Sequence, residues 1–541
     1  MNVVLLEWRP YSSLFQRNNL GLQYIAASLR SSGHNTSIYV FQGDTLDEVC
    51  NKIISHNPHM VAITLFPETK DMVYSIFQKI KEIDPNIVTV TGGHTATLYA
   101  SKVLRQEDHI DIITYGESEL TYVELCNRID ENESIETCRG IFYRKDGYIM
   151  KTKPREEVKD LDALPFPVID VTRDLNDRRS PTVFTSISTS RGCLGNCAFC
   201  VSHRVSKVVK YSRWRGKSAK GIIDELKYIR DNFPDKRLVV EFVDSSFEDN
   251  DPREKKRIKK FLDLLEASNI KMAFSFLTRA ESWSDNDNEL IARMKKLGLF
   301  SVSPGFESGA DDSLMTFGKR ATVANNYKTF EMFSKNGVDV CGMIIMFHPY
   351  VTFKDLRSNA EFLLNVGLGY SPQNWIHSLY VFPDTRIFQR IVSDGLLIND
   401  NKNEFTYSYS FKNGKIEKMF RIIEKIGKLD SVKRFDNTCE KILYELRLYE
   451  VWKHQSDEFE NVEIEMSEYK KSYKDTAAYV SNKLYEMFLE MIEKAEKGDI
   501  NDIENEMVVK WDRLLTDKQA FLEHEWMRYR IKLLRKDIQL L

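Results

Sequence analysis

The strongest chemical signal in the chain is "RGCLGNCAFC", residues 191–200, which holds three of the eight cysteines at the spacing C-x3-C-x2-C. Gly192 and Gly195 let the backbone wrap, so Cys193, Cys197 and Cys200 are set to ligate one centre. Three thiolates are one short of a closed site. His203 completes a candidate zinc set, C-x3-C-x2-C-x2-H. Zinc sites, however, draw ligands from two separated segments, and four ligands in one short loop are crowded. Soft thiolates also favour an iron–sulfur cluster. With three cysteines, a cubane leaves one iron open to an outside ligand. Cys50, Cys126, Cys138, Cys341 and Cys439 are scattered buried thiols rather than a disulfide framework, which fits a reducing cytoplasm.

The loop must be held by regular elements. Residues 181–395 alternate strand and helix patterns in six units, with strands expected at 183–188, 238–243, 271–277, 300–303, 338–347 and 375–381. Ser218 reads as an N-cap. Six βα units imply a barrel or partial barrel, whose catalytic face lies at the strand ends. The polar residues Asp244, Ser245, Arg279 and Glu307 fall at those ends, where they either face the site or simply meet solvent. The cysteine loop follows the first of these strands.

Residues 1–135 also alternate, with strands expected at 3–6, 36–40, 60–65, 87–91 and 110–115, which implies a doubly wound, Rossmann-like parallel sheet. Such sheets bind ligands at the carboxyl ends of their strands. The segments "TGGHTAT" and "YGESE" fall there, with neither GxGxxG nor a Walker A motif. Residues 136–180 read as a linker holding a small Asp-Gly hairpin and a proline-rich strap. Residues 396–541 read as a mostly helical C-terminal domain, expected to close the active site, with Gly498 as a helix stop. Trp452, His454 and Trp526 read there as packing or as pocket walls.

With 541 residues, 42% hydrophobic composition and a net charge of −3, the chain is globular and shows no basic stripe for nucleic acid. No apolar window approaches the ~20 residues of a membrane span, and the N-terminus reads as a first strand rather than a signal peptide.

C-x3-C-x2-C after the first strand of a six-unit barrel resembles the radical S-adenosylmethionine (SAM) superfamily. The resemblance implies that Cys193, Cys197 and Cys200 hold a [4Fe-4S] cluster. SAM would chelate the open iron, with Phe199 near the adenine and Asp244, Ser245, Arg279 and Glu307 as SAM contacts. At "MIIMFHPY" the family carries a glycine-rich turn, and His348 departs from it. The segments "NLGLQYIAASLRSSGHNTSIYV", "TGGHTAT", "YGESELTYVEL" and "DLDALPFPVID" resemble the cobalamin-binding domain that precedes the barrel in one subclass. That implies cobalamin held by loops containing Trp8, Arg9, Tyr11, Leu65, Phe66, Gly92, Gly93, His94, Thr95, Tyr115, Gly116, Glu117 and Ser118. The D-x-H-x-x-G motif is missing, so no protein histidine is expected on the cobalt.

The subclass implies a methyltransferase. The reduced cluster cleaves SAM to a 5′-deoxyadenosyl radical, which activates an unactivated carbon that then takes a methyl group from methylcobalamin. An external one-electron reductant of flavodoxin or ferredoxin type and a small-molecule or peptide substrate follow as partners. The alternatives are non-methylating chemistry (rearrangement, ring contraction or oxidative cyclisation) and an iron–sulfur or zinc protein without turnover.

Overall fold

The computed structural model describes residues 1–9, 19–170, 180–248, 255–398, 405–536 and 538. Its first sheet begins with β1 (Asn2–Trp8), whose side chains alternate between two cores. Val4 and Leu6 join one core and Val3 and Leu5 the other, the period-2 signature of a strand buried on both faces. β2 (Asn35–Phe41), β3 (Met60–Thr64), β4 (Val88–Gly92) and β5 (Ile112–Thr114) run parallel to it. Helices Leu20–Ser31 and Glu119–Asp130 cover one face, and Leu46–Ile54, Lys70–Ile83 and Gly93–Gln106 the other.

The hairpin expected in the linker does not stand apart. β6 (Ile141–Lys145) and β7 (Tyr148–Lys151) pair antiparallel beyond β5, giving the order β2-β1-β3-β4-β5-β6-β7. Its turn has positive φ at both Asp146 and Gly147, the geometry that matches strand twist.

The second sheet is parallel, in the order β14-β13-β12-β11-β8. Its strands are β8 (Thr182–Ile187), β11 (Arg237–Phe242), β12 (Met272–Thr278), β13 (Leu299–Pro304) and β14 (Asp339–Val340). Between β8 and β11, β9 (Ser190–Gly192) pairs antiparallel with β10 (Trp214–Gly216). The fifth and sixth expected strands are mostly irregular. β14 is only two residues long, and the ladder resumes as single bridges, Glu307 with Ile344 and Phe347 with Ser378. It breaks where Gly342 lies so close to the Phe306 ring that a Cβ would sit 2.5 Å from it. In the sixth unit, Pro372 starts a one-turn helix, Gln373–Ile376, instead of a strand, because its fixed φ suits a helix entry. Trp375 is buried there, and its indole donates to the Gly369 carbonyl at 2.8 Å.

Ser218 caps its helix as expected, accepting from Gly221 N at 3.0 Å. The C-terminal helices Gly414–Gly427, Asp430–Trp452, Glu463–Lys497 and Glu504–Leu534 share one continuous core with the barrel. Several of their contacts fall at strand starts. Lys271 donates to the Gln455 carbonyl, Arg447 pairs with Asp339, and Phe300 packs on Tyr444. That end lies opposite the cysteines. Trp452 is buried beneath Arg237, and the Trp526 indole donates to Glu445. No helix among the described residues is long and apolar enough to cross a membrane.

Candidate functional site

The cysteine loop joins β9 to helix Val201–Val209, and neighbouring segments grip its backbone. Arg213 donates to the carbonyls of Leu194 at 2.5 Å and Gly195 at 3.0 Å. Arg386 donates to the Asn196 carbonyl. Ala198 donates to the Phe317 carbonyl at 2.6 Å and accepts from Ile387 N at 3.1 Å. The approach of residues 317–318 requires glycine at 318, which has φ +64 and where a Cβ would stand 2.8 Å from the Arg386 guanidinium. The floor beneath is apolar. Phe199 packs edge-on against Phe317, which packs in turn on His348. Tyr350 N donates to His348 Nδ1, so Nε2 carries the proton towards Ser313 Oγ at 2.9 Å. Burial pushes His348 down to about 3, so the ring is neutral structural filling where the resemblance expected a glycine.

The thiols converge without closing on one ion. A Cβ on Gly195 would lie 3.2 Å from Cys193 Sγ and 3.8 Å from Cys197 Sγ. Among the described residues, no three His, Cys, Asp or Glu side chains gather tightly enough for a single metal ion. Burial pushes the Cys197 thiol up to about 12, with the Lys319 ammonium pulling the other way. A soft metal centre overcomes such a penalty by holding the thiolate directly.

The polar strand-end residues divide into two groups. Asp244 is buried, accepting from Thr189 Oγ1 at 2.7 Å and Ser190 N at 2.5 Å, so its carboxylate anchors the entry to β9. Its placement fits positioning of the loop better than direct contact with a ligand. Ser245 is exposed at the strand end. Arg279 reaches the loop, its Cδ lying 3.8 Å from the Gly195 Cβ position, and its Nη2 is buried without a hydrogen-bond partner. Glu307 holds a left-handed φ of +63 and lies 3.7 Å from Lys319.

The carboxyl ends of β1, β3, β4 and β5 form one edge of the first sheet, as expected. Phe66 is 46% exposed there, and Gly93 and His94 are open. His94 is solvent-accessible, yet surrounding protein lowers its proton affinity, as for a group on the wall of a cleft. Trp8 and Ser118 are half-buried and Thr95 is buried. Gly92 packs so tightly on Thr114 that a Cβ would lie 2.5 Å from its hydroxyl. Four side chains expected on cobalamin are committed elsewhere. Arg9 pairs with Glu7, Leu65 is core, and the Tyr115 hydroxyl donates to the Thr152 carbonyl at 2.7 Å. Glu117 is the fourth, and Tyr11 lies outside the described residues.

Glu117 builds the seam between the two sheets. Arg191 lies 2.6 Å from Glu119 Oε1 and 3.2 Å from Glu117 Oε1. Arg215, opposite Arg191 in the β9–β10 register, reaches Glu117 Oε1 at 2.5 Å. Burial opposes ionisation of Glu117, but Arg215 and Arg191 outweigh it and hold the carboxyl below its usual range. Glu117 N donates to the Tyr211 hydroxyl, which sits so close that a Cβ on Gly116 would lie 2.6 Å away. Deeper in the seam, Lys217 pairs with Glu225 and donates to Tyr24 of the first sheet's helix at 2.8 Å. Arg191 lies two residues before Cys193, so the first sheet directly holds the root of the cysteine loop.

Comparison with known proteins accounts for both halves of this arrangement. A B12-binding domain matches residues 13–126 and the radical SAM superfamily matches residues 187–363. The chain carries a B12-binding domain followed by a radical SAM domain. It is 26% identical to an uncharacterized methyltransferase of Pyrococcus horikoshii, over 72% of this chain and 81% of that protein. It is 23% identical to the anaerobic magnesium-protoporphyrin IX monomethyl ester cyclase of Synechocystis sp., over 72% and 76%. The solved structure of the cobalamin-dependent SAM radical enzyme OxsB, with aqua-cobalamin and SAM bound, superposes with a TM-score of 0.68 at 16% identity. It covers 99% of this chain and 81% of OxsB, a likeness of fold.

The radical SAM domain implies a [4Fe-4S] cluster and SAM, and the B12-binding domain implies cobalamin. The residues present fit them: a gripped three-thiol loop, an unsatisfied Arg279 donor beside it, and glycines at the carboxyl edge of the first sheet. Sequence reasoning missed Glu119, Arg215, Glu248 and Lys319. Glu248 accepts from Thr278 Oγ1 at 2.5 Å and Arg279 N at 2.6 Å, and so sets Arg279. It stands four residues after Asp244, so proximity to Asp244 was an available signal. Lys319 donates to the Gly305 carbonyl at 2.7 Å beside the thiols, and nothing in its spacing announced it.

Proposed function

We propose that the chain is a cobalamin-dependent radical SAM methyltransferase that methylates an unactivated carbon of a small-molecule or peptide natural-product intermediate. The observation that carries this reading is the seam. Glu117 and Glu119, at the cobalamin edge of the first sheet, grip Arg191 at the root of the cysteine loop. A methyl donor and a radical source must face one cavity for such a transfer, and the seam supports that arrangement.

When bound, the cofactors supply a carbon-centred radical and a transferable methyl group. The chain's own residues bind and orient. Cys193, Cys197 and Cys200 would hold the cluster. Phe199 offers an apolar face for the adenine. Ser245, Arg279 and Glu307 present polar groups towards SAM, with Glu248 holding Arg279 and Asp244 holding β9. Phe66, Gly93 and His94 face cobalamin. The apolar floor of Phe317 and Val381 helps exclude water, which protects a reactive radical. No side chain is required as a general base.

The test is anaerobic turnover with SAM carrying a deuterated methyl group. The label is expected in the bound cobalamin, and then in product when the true substrate is present. Deoxyadenosine formation with unlabelled cobalamin would point instead to non-methylating chemistry. The similarity to a cyclase favours that second reading. Iron, SAM cleavage and cobalamin all missing from the reconstituted protein would leave the chain as a binding protein. The genes neighbouring this one would best narrow the substrate.

A further inference from the structure

A cavity of about 680 Å³ opens between the barrel and the C-terminal helices, at the strand-start end opposite the cysteines. Local chain geometry creates the space. Helices Val323–Lys335 and Phe353–Asn365 stop at Gly337 and Gly367, whose φ of +70 and +67 turns the chain away. Helix Glu463–Lys497 faces them with Tyr473, Ala477 and Ser481, each four residues on from the last, so one helix face lines the cavity. Ala477 and Ser481 are too small to fill it. Phe300, Phe330, Leu364 and Leu446 give it apolar walls. Ser481 is buried, and its hydroxyl has no hydrogen-bond partner among the described residues. The charged lining is unbalanced: Lys295, Arg447, Lys470 and Lys474 against Asp339 and Glu450. Both acids are already engaged. Asp339 lies 2.9 Å from Arg447, and Glu450 lies 2.6 Å from Lys470 and 2.7 Å from Lys453. Lys295 is half-buried, and neither it nor Lys474 pairs with an acid among the described residues. Burial lowers the proton affinity of Lys295, and Glu450 and Asp339, each shared with other cations, do not restore it.

We infer that this cavity is a second binding site, apart from the cofactor mouth, for a small amphipathic monoanion: an apolar aromatic or aliphatic body carrying one carboxylate. Its volume and its mixture of apolar walls with a few polar groups are those of a small-molecule pocket. The body lies against Phe300, Phe330, Leu364 and Leu446. The carboxylate pairs with Lys295, the half-buried cation that the protein leaves unmatched. A single negative charge is favoured over a phosphate dianion because Asp339 and Glu450 remain in the same wall and repel a second one. The ligand is elongated. Lys470, near the charged end, and Ser481 lie eleven residues apart on one helix, roughly 16 Å. The Ser481 hydroxyl therefore offers a hydrogen bond at the far end. Occupancy reaches the barrel interior through Arg447, which lines the cavity and donates to Cys341 Sγ at 2.9 Å, just beyond β14.

The test is fluorescence titration of the reconstituted holoenzyme, its cofactor mouth filled, with 8-anilinonaphthalene-1-sulfonate, an aromatic monoanion that brightens in apolar surroundings. One saturable site per chain is expected. Decanoate is expected to displace the dye, and decyltrimethylammonium, with the same tail and a cationic head, to leave it bound. Lys295→Met keeps the apolar stem and is expected to weaken dye binding about tenfold, the loss of one charge-assisted hydrogen bond. Ala478→Trp sets a ring at the exposed rim of the cavity and is expected to block the dye. Thermal unfolding and iron content, measured on the same samples, separate loss of the site from loss of the fold. No saturable binding, equal displacement by the two decyl compounds, or wild-type affinity in either variant overturns the site.

Discussion

The barrel is bounded by two seams of opposite chemistry. Towards the first sheet the contacts are polar and directional: Glu117 and Glu119 against Arg191 and Arg215, with the Tyr24 hydroxyl accepting from Lys217. Towards the C-terminal helices they are largely apolar and aromatic, as in Trp375 on Phe488, Phe347 on Phe420 and Phe184 on Tyr444. An aromatic seam supplies stabilisation without demanding one geometry. A buried ion pair adds little net stability but penalises every misplacement of its partners. The ionic seam therefore lies where two cofactors must be held in register, and the apolar seam where the molecule needs bulk.

Breaking each seam should separate stability from alignment. Trp375→Ala removes a fully buried side chain and its hydrogen bond, and is expected to cost about 3–5 kcal/mol in denaturant unfolding. Cofactor content at low denaturant should be retained. Glu119→Gln leaves Arg191 with Glu117 alone, at an expected cost of about 2–3 kcal/mol. Here the larger effect falls on alignment: SAM cleavage persists while the yield coupled to cobalamin drops. If Trp375→Ala proves the better uncoupler, the division of labour is wrong.

A pH dependence sharpens the contrast. Burial raises Asp436, at the C-terminal seam, from its ordinary 3.8 to about 7. The folded chain therefore binds an extra proton between those values. Its contribution to stability is full below about pH 4 and is lost as pH rises towards 7. Asp436→Asn, which keeps a neutral group accepting from Ser371, should flatten that slope in unfolding curves taken between pH 4 and 8. Gly318→Ala is expected to have the smallest global effect, about 1–2 kcal/mol from strain at positive φ. It should act locally, loosening the loop so that iron is lost faster to a chelator.

Legibility from sequence followed the same division. The parallel strands of the first sheet carried short apolar runs, and the cysteine loop carried its spacing; neither depends on distant residues. The sixth barrel unit failed because Val381, Leu379 and Trp375 are apolar for burial, while Pro372 dictates a helical turn and leaves Ser378 as a single bridge. The ion pairs of Glu117 and Arg9 were not legible because both lie at strand ends, where position alone does not distinguish a ligand contact from an ion pair. Lys319 was invisible because its contacts with Glu307, the Gly305 carbonyl and the thiols form only when the chain folds back over the end of β13. The hairpin itself was legible, but its attachment to β5 was not, since pairing between strands leaves no local trace.

The central claim is that the ionic seam places cobalt and cluster at one cavity. Electron paramagnetic resonance of the holoenzyme, with cobalt(II) and the cluster both reduced to their paramagnetic states, tests it most directly. The account predicts spin–spin coupling between the two centres in wild type, weakened and broadened in Glu119→Gln. Two independent, unperturbed spectra in the wild-type protein would contradict it.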